Sequence, residues 1–112
     1  MYLYVEMWNA KPEWLGLSDT ERQAFMGNVD AWLGSIMDPE TCSVYGACAN
    51  DGDTAPRAQF SYLVVWSLKD KSYVKTVADG TSRVGWYKYF DQVNIGGEKI
   101  TADELVGKLM EL

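Results

Sequence analysis

The stretch Phe60-Ser-Tyr-Leu-Val-Val-Trp-Ser-Leu68 sets Phe60, Tyr62, Val64, Trp66 and Leu68 against Ser61, Leu63, Val65 and Ser67 at the two-residue period of a strand. Apolar residues occur in both sets, so the segment belongs in a sheet covered on both sides rather than one with a wet face. Near the start of the chain, Tyr2 to Trp8 repeats the pattern, with Leu3, Val5 and Met7 alternating against Tyr2, Tyr4, Glu6 and Trp8. Two such strands describe a sheet with one aliphatic face and one aromatic face carrying a single carboxylate. What the aromatic face meets decides what the protein does.

Between these strands, Pro12 marks a connection, and Ser18-Asp-Thr-Glu21 is a capping box opening a helix whose Phe25, Val29, Trp32, Leu33 and Ile36 share one stripe. That helix is expected to end near Met37, before Pro39. Cys42 to Ala49 reads as a strand of small side chains, followed by the polar loop Asn50 to Pro56. Asp51 and Asp53 superficially suggest a calcium loop, but the glycine is misplaced and no bidentate Glu follows at the required offset, so a plain hairpin is the reading. After Leu68, Tyr73, Val74 and Val77 fall at helical spacing over Lys69 to Asp79, with Gly80 placed to interrupt or end the helix. A second helical piece, Thr81 to Tyr89, leads to a short strand, Phe90 to Ile95. Thr101-Ala-Asp-Glu104 is a second capping box, opening a final helix with Leu105, Leu109 and Leu112 aligned.

The order is strand, helix, strand, strand, helix, strand, plus a C-terminal helix: an α+β, ferredoxin-like βαββαβ plan in one domain over residues 1–112. The aliphatic sets suit the helix side, which leaves Tyr4, Glu6, Trp8, Tyr62 and Trp66 on the opposite face. An aromatic patch of that kind marks an interface or a ligand site. Two copies pairing their sheets face to face would hide it and enclose a cavity, so a homodimer is expected.

Composition narrows the function. Ten Lys and Arg against sixteen Asp and Glu give a net charge of −6, which argues against nucleic acid and against an anionic membrane surface. No apolar run approaches the ~20 residues of a membrane span, and the start lacks a basic segment with a long apolar core, so the expected location is cytoplasmic. Histidine is absent, which removes the commonest general base, the usual haem ligand and most zinc sites. On one regular strand Cys42 and Cys48 would share a face roughly 20 Å apart, beyond disulfide reach, and they read as small apolar residues. No dinucleotide fingerprint, phosphate loop, nucleophile elbow or metal-ligand cluster occurs, so no cofactor and no metal are assigned.

The chain resembles the dimeric α+β barrel superfamily, in which two ferredoxin-like subunits pack their sheets into one barrel. Within it, the sequence is similar to an uncharacterised bacterial family, on the strength of Met1-Tyr-Leu-Tyr-Val-Glu-Met-Trp8, Trp14-Leu15, Leu17-Ser18, Glu21-Arg22, Val65-Trp66, Gly85-Trp86-Tyr87-Lys88-Tyr89-Phe90 and Gln92-Val93-Asn94. The resemblance implies the fold and the dimer. Its wider relatives include cofactor-free monooxygenases, polyketide cyclases, muconolactone isomerases and haem-dependent chlorite dismutases. The missing histidine separates this chain from the haem members and from cyclases that use a histidine base.

Within a barrel, desolvation of Glu6 would raise its pKa toward a value useful for proton transfer, which makes it the general-base candidate. The alternative is that Glu6 pairs with Arg57 or Arg83, or faces water at the barrel mouth. Asn9 and Asn94 are candidates for holding a substrate oxygen, with turn or edge roles as the alternative. Tyr4, Trp8, Tyr62, Trp66 and Trp86 are the candidate substrate-binding residues, with packing as the competing account. Two functions remain open: a cofactor-independent oxygenase, isomerase or cyclase acting on an aromatic or polyketide-like molecule, and a non-catalytic dimeric barrel that binds a small hydrophobic ligand or serves stress or regulation.

Overall fold

Strand β1, Tyr2–Ala10, is the axis of the fold. In the computed structural model, which describes residues 1–112, it pairs antiparallel with β3 (Tyr62–Leu68) on one side and β4 (Phe90–Glu98) on the other. β2 (Cys42–Ala49) adds to the outer edge of β3, so the sheet order is β2-β3-β1-β4. Helices α2 (Asp19–Ile36) and α3 (Ser72–Arg83) form the two crossovers, and α5 (Ala102–Met110) follows the last strand. This is the ferredoxin-like α+β order read from the sequence. No helix is long and apolar enough to cross a membrane.

Both capping boxes form. Ser18 Oγ accepts from the Glu21 amide at 3.1 Å while Glu21 Oε1 accepts from the Ser18 amide at 3.0 Å, and Thr101 and Glu104 repeat the exchange. One short helix was not foreseen, α1 (Pro12–Leu15), where only a connection was expected; the second helical piece expected over Thr81 to Tyr89 is the shorter α4 (Trp86–Tyr89), set off from α3 as a separate turn. Gly80 does not end α3, which runs through it to Arg83. Its lack of a side chain serves packing instead, because a Cβ there would strike the indole of Trp32 on α2. The glycine that breaks the helical path is Gly85, whose φ of 84° lies in the left-handed region open to glycine.

The sheet's orientation corrects the main sequence expectation. Trp32, Leu33 and Ile36 of α2 and Tyr73, Val74 and Val77 of α3 pack on the Tyr4, Trp66 and Leu68 side. The aromatic face therefore lies beneath the helices, and the aliphatic face is the open one. The physical reason is layer thickness: helices stand off a sheet and large rings fill that gap, whereas short branched side chains make a flat face suited to another sheet. Periodicity tells which residues share a face, but the crossovers decide which face they cover.

A second correction concerns β2. A bulge between Val44 and Gly46 shifts its alternation, so Cys42 sits opposite Leu68 on the helix side while Cys48 sits opposite Leu63 on the open side. Cys42 is buried and Cys48 exposed. The ten buried residues all lie on the helix side of the sheet or on the helices themselves. On the open side, Val5 is flanked by Val65 and Ile95 in a row across three strands. Every residue of α5 is exposed, including Leu105, Val106, Leu109 and Met110. The radius of gyration, 16.0 Å, exceeds the ~13 Å typical of a compact chain of this size.

Candidate functional site

Glu6 stands at the centre of the sheet, between Val64 of β3 and Asn94 of β4, and points to the helix side. Its side chain is only 6% exposed. Trp66 Nε1 donates to Oε1 at 2.6 Å and Gln92 Nε2 donates to Oε2 at 2.6 Å. Both donors come from neighbouring strands, two residues along from the positions opposite Glu6, where a long side chain reaches diagonally across the ladder. Burial pushes the Glu6 carboxyl above its usual range, and the two donors oppose that shift by favouring the charged form. Neither Arg57 nor Arg83 pairs with it; Arg57 instead meets Asp51 in the β2–β3 loop.

Glu6 is one of the residues lining a cavity of about 180 Å³ between sheet and helices, whose wall is almost wholly apolar. Glu6, Trp8, Val64, Trp66 and Gln92 form its floor. Val29, Trp32 and Leu33 of α2, Thr81 of α3 and Trp86 of α4 close it from above. The Thr81 hydroxyl is committed to the Val77 carbonyl at 2.7 Å, a bond internal to the helix. Trp86 is wedged by aromatic neighbours: its ring stacks on Phe90 with centroids 4.1 Å apart and meets Trp8 edge-on at 5.6 Å. Its Nε1 is buried with no hydrogen-bond partner.

Among the residues singled out in the sequence, Glu6, Trp8, Trp66 and Trp86 converge on this cavity. Tyr4 lies in the core, and burial, with the charge of Glu6 nearby, holds its phenol well above the ordinary range. Tyr62 is 45% exposed and touches the rim through Trp8, with ring centroids 6.0 Å apart. Asn94 acts at one remove, its Oδ1 accepting from Gln92 Nε2 at 2.8 Å. Asn9 belongs to the other end of the sheet, where its amide donates to the Gln59 carbonyl at 2.9 Å and accepts from Ser61 N at 2.8 Å, tying down the β2–β3 loop. An open groove of about 340 Å³ beside it is lined by that same loop.

Three contributors were missed: Gln92, Trp32 and Thr81. Gln92 carried a signal, since it occupies the same strand phase as Asn94 and hence the phase of Glu6. Trp32 was read as a helix-stripe residue, which it is, but periodicity does not say that its ring overhangs a cavity. No cluster of three or more Cys, Asp or Glu side chains gathers to hold a metal ion.

Over residues 1–112 the sequence matches DUF6616, described as a family of unknown function. The chain belongs to this family. No curated protein matches it. Among solved structures, the DUF6616 chain is similar to a candidate chlorite dismutase, with a TM-score of 0.72 and 14% identity over 96% of this chain. It spans about half of that protein, 48% of its length. An Arabidopsis thaliana protein aligns with a TM-score of 0.63 and 9% identity, over 91% of this chain and 98% of its own. A dabb family protein with a ferredoxin-like fold from Mesorhizobium loti gives 0.56 and 9%, over 89% and 97%. A dimeric ferredoxin-like protein of unknown function from Thermobifida fusca gives 0.53 and 10%, over 88% and 90%. At these identities the likeness establishes the ferredoxin-like fold and nothing about chemistry.

Proposed function

We propose that this DUF6616 protein is a homodimer whose subunits each take a small aromatic or cyclic molecule into the cavity under α2 and α3, where Glu6 accepts a proton from it. The observation that supports this reading is Glu6, a buried carboxylate residue bordering an apolar, tryptophan-lined cavity. A carboxyl in that setting is a stronger base than one in water, closer to the pH at which it must work. The cavity's size selects the single-ring end of the expected range. An engineered cavity of ~150 Å³ holds benzene, so 180 Å³ accommodates one ring with a small substituent and not a fused polyketide.

In an isomerisation, the proton leaves a carbon next to the ligand carbonyl for Glu6, giving a neutral carboxylic acid and an enolate. The acid then returns that proton to a different carbon. Cyclisation begins with the same abstraction, and oxygenation would add dioxygen as co-reactant. The test uses cyclohex-3-enone as probe, with conversion to the conjugated ketone followed by absorbance and binding followed by tryptophan fluorescence. Wild-type protein is expected to accelerate the conversion, and Glu6→Gln to lose it while still binding. Binding without acceleration overturns the catalytic reading and leaves the non-catalytic binder, which the two short hydrogen bonds already engaging Glu6 favour.

The homodimer rests on the open side of the sheet. Leu3, Val5, Met7, Leu63, Val65 and Ile95 form an aliphatic surface on the side away from α2 and α3, with Ala58 and Phe60 of the β2–β3 loop beside its Met7 and Leu63 end, and Ile95 is 66% exposed. A flat face of short apolar side chains suits an identical sheet, and the Thermobifida fusca protein of the same fold is described as dimeric. The barrel so formed would lie on the side of the sheet away from Glu6, so the ligand cavity belongs to each subunit and not to the space between sheets.

A further inference from the structure

Helix α5 has an apolar side that its own chain leaves open. Ala102, Leu105, Val106, Leu109 and Met110 fall within an arc of about 140° at the ~100° per residue of a helix, and the remaining arc holds Asp103, Glu104, Gly107 and Lys108. The four large apolar side chains of that arc are each at least 50% exposed. A helix of nine residues is marginal in water without a surface to rest on, so the arc calls for a cover. A lipid surface fits it poorly. Interfacial helices carry Lys and Arg on the polar side, whereas α5 sets Lys108 against Asp103, Glu104 and Glu111 in a chain of net charge −6.

The area that a dimer needs points to a second copy. The open sheet face is four strands wide and seven residues long along β3. That outline is roughly 450 Å² at a strand spacing of ~4.8 Å and a rise of ~3.4 Å, little more than half the ~800 Å² that each partner buries in a standard stable interface. Ala58 and Phe60 of the β2–β3 loop also crowd its Met7 and Leu63 end. The opposite end is free of that loop; there Glu98 faces Tyr2 across the ladder and the Lys99 amide donates to the Met1 carbonyl at 2.8 Å. Ala102, the first residue of α5, lies within about 11 Å of Lys99 along the chain, so the apolar arc starts beside the free end of the open face.

We infer that α5 is an arm exchanged between the two subunits: in the homodimer its apolar arc packs on the partner subunit, flanking the paired sheets. The inference rests on the homodimer reading above and extends it from the sheets to α5. An exchanged helix counts twice for each subunit, once through its own apolar side and once through the surface that the partner's helix covers. At ~14 Å by ~10 Å per helix this adds roughly 280 Å² per subunit, which brings the contact into the range of a stable dimer. Two-fold symmetry makes the two arm contacts identical.

The test uses the purified full chain. Sedimentation equilibrium gives the dimer dissociation constant of wild type and of Leu105→Ala/Leu109→Ala, a change that keeps helix propensity while removing apolar side chains. Each dimer loses its two pairs of leucines, so the constant is expected to rise about a hundredfold, with the circular dichroism of the remaining fold unchanged. In a second protein, p-benzoylphenylalanine in place of Leu109 is expected to photo-cross-link two chains into a species of twice the 12.6 kDa chain mass. That cross-link gives the answer should the double variant fail to fold. A dimer whose constant the double variant leaves unchanged, or cross-links confined to one chain, overturns the inference and leaves the homodimer standing. Flotation of wild type, but not of the double variant, with phosphatidylcholine vesicles overturns it as well and assigns α5 to a lipid surface. A wild-type protein that stays a single chain at every concentration overturns both the inference and the homodimer.

Discussion

Trp66 Nε1 donates to Glu6 Oε1 at 2.6 Å, joining two strands at positions that do not face one another, since Glu6 is paired with Val64 and Trp66 with Tyr4. The bond is diagonal across the ladder and buried at both ends. It fixes the carboxyl's orientation while the indole keeps water from its flank. Gln92 completes the hold from the opposite strand.

Glu6 therefore makes stability depend on pH in an unusual direction. Its folded-state pKa lies above the 4.5 of an unperturbed Glu, because burial outweighs the two donors. The native state then binds the proton more tightly than the unfolded chain. The contribution is fully present below the unfolded value and is lost as pH rises through the folded one. Glu6→Gln removes that titration, so its melting temperature should gain on wild type as pH goes from 4 to 8. Thermal melts of both proteins across that range check it; a difference that stays constant with pH would show that Glu6 is not perturbed.

Gly80→Ala places a methyl group against the Trp32 indole, well inside contact distance. Overpacking of this kind costs about 1–3 kcal/mol. Because Trp32 is also part of the cavity wall, the variant should lose affinity for single-ring probes together with stability. Denaturant unfolding and fluorescence titration measure the two effects, and unchanged values for both would mean that the ring relocates freely.

The element order was legible because each signal was local. The capping boxes at Ser18 and Thr101, the alternation of β1 and β3 and the stripe of α2 each depend on residues a few positions apart. The sheet's orientation was not legible, since exchanging the two faces leaves every period unchanged. The bulge after Val44 escaped for a similar reason: Tyr45-Gly46 reads as ordinary strand until the partner's register is known. At the site, Glu6 stood out as the lone carboxylate among the rings of β1, and that signal survived the reversal of faces. Asn9 did not join the cavity because its odd position in β1 turns it to the open side, where the loop claims its amide.

The reversed phase of β2 gives the two cysteines opposite fates. Cys42 is 1% exposed and burial raises its thiol pKa, which leaves little thiolate to react. Cys48 is exposed on the open side. A maleimide added to native protein should therefore modify Cys48 alone, with Cys42 modified only after unfolding, as mass spectrometry of the peptides would show. Labelling of Cys42 at a comparable rate in the native state would contradict the bulge.

Val5 offers the sharpest test of the dimer, because it sits mid-sheet on the uncovered side between Val65 and Ile95 and touches nothing in the cavity. Wild type is expected to scatter light as a species of twice the 12.6 kDa chain mass, and Val5→Lys as a single chain. A charge at the centre of an apolar interface must be desolvated without a partner, a cost that a marginal dimer does not survive, whereas on an open face it is solvated at no loss. Removing residues 101–112 separates the role of α5, a helix of nine residues that is marginal in water without a surface to rest on. If α5 reaches across the partner, its removal weakens the dimer while the circular dichroism of the remaining fold persists. A wild-type protein that stays a single chain at every concentration, with Val5→Lys no different from it, would leave the aliphatic face without a second copy and remove the barrel from the proposal.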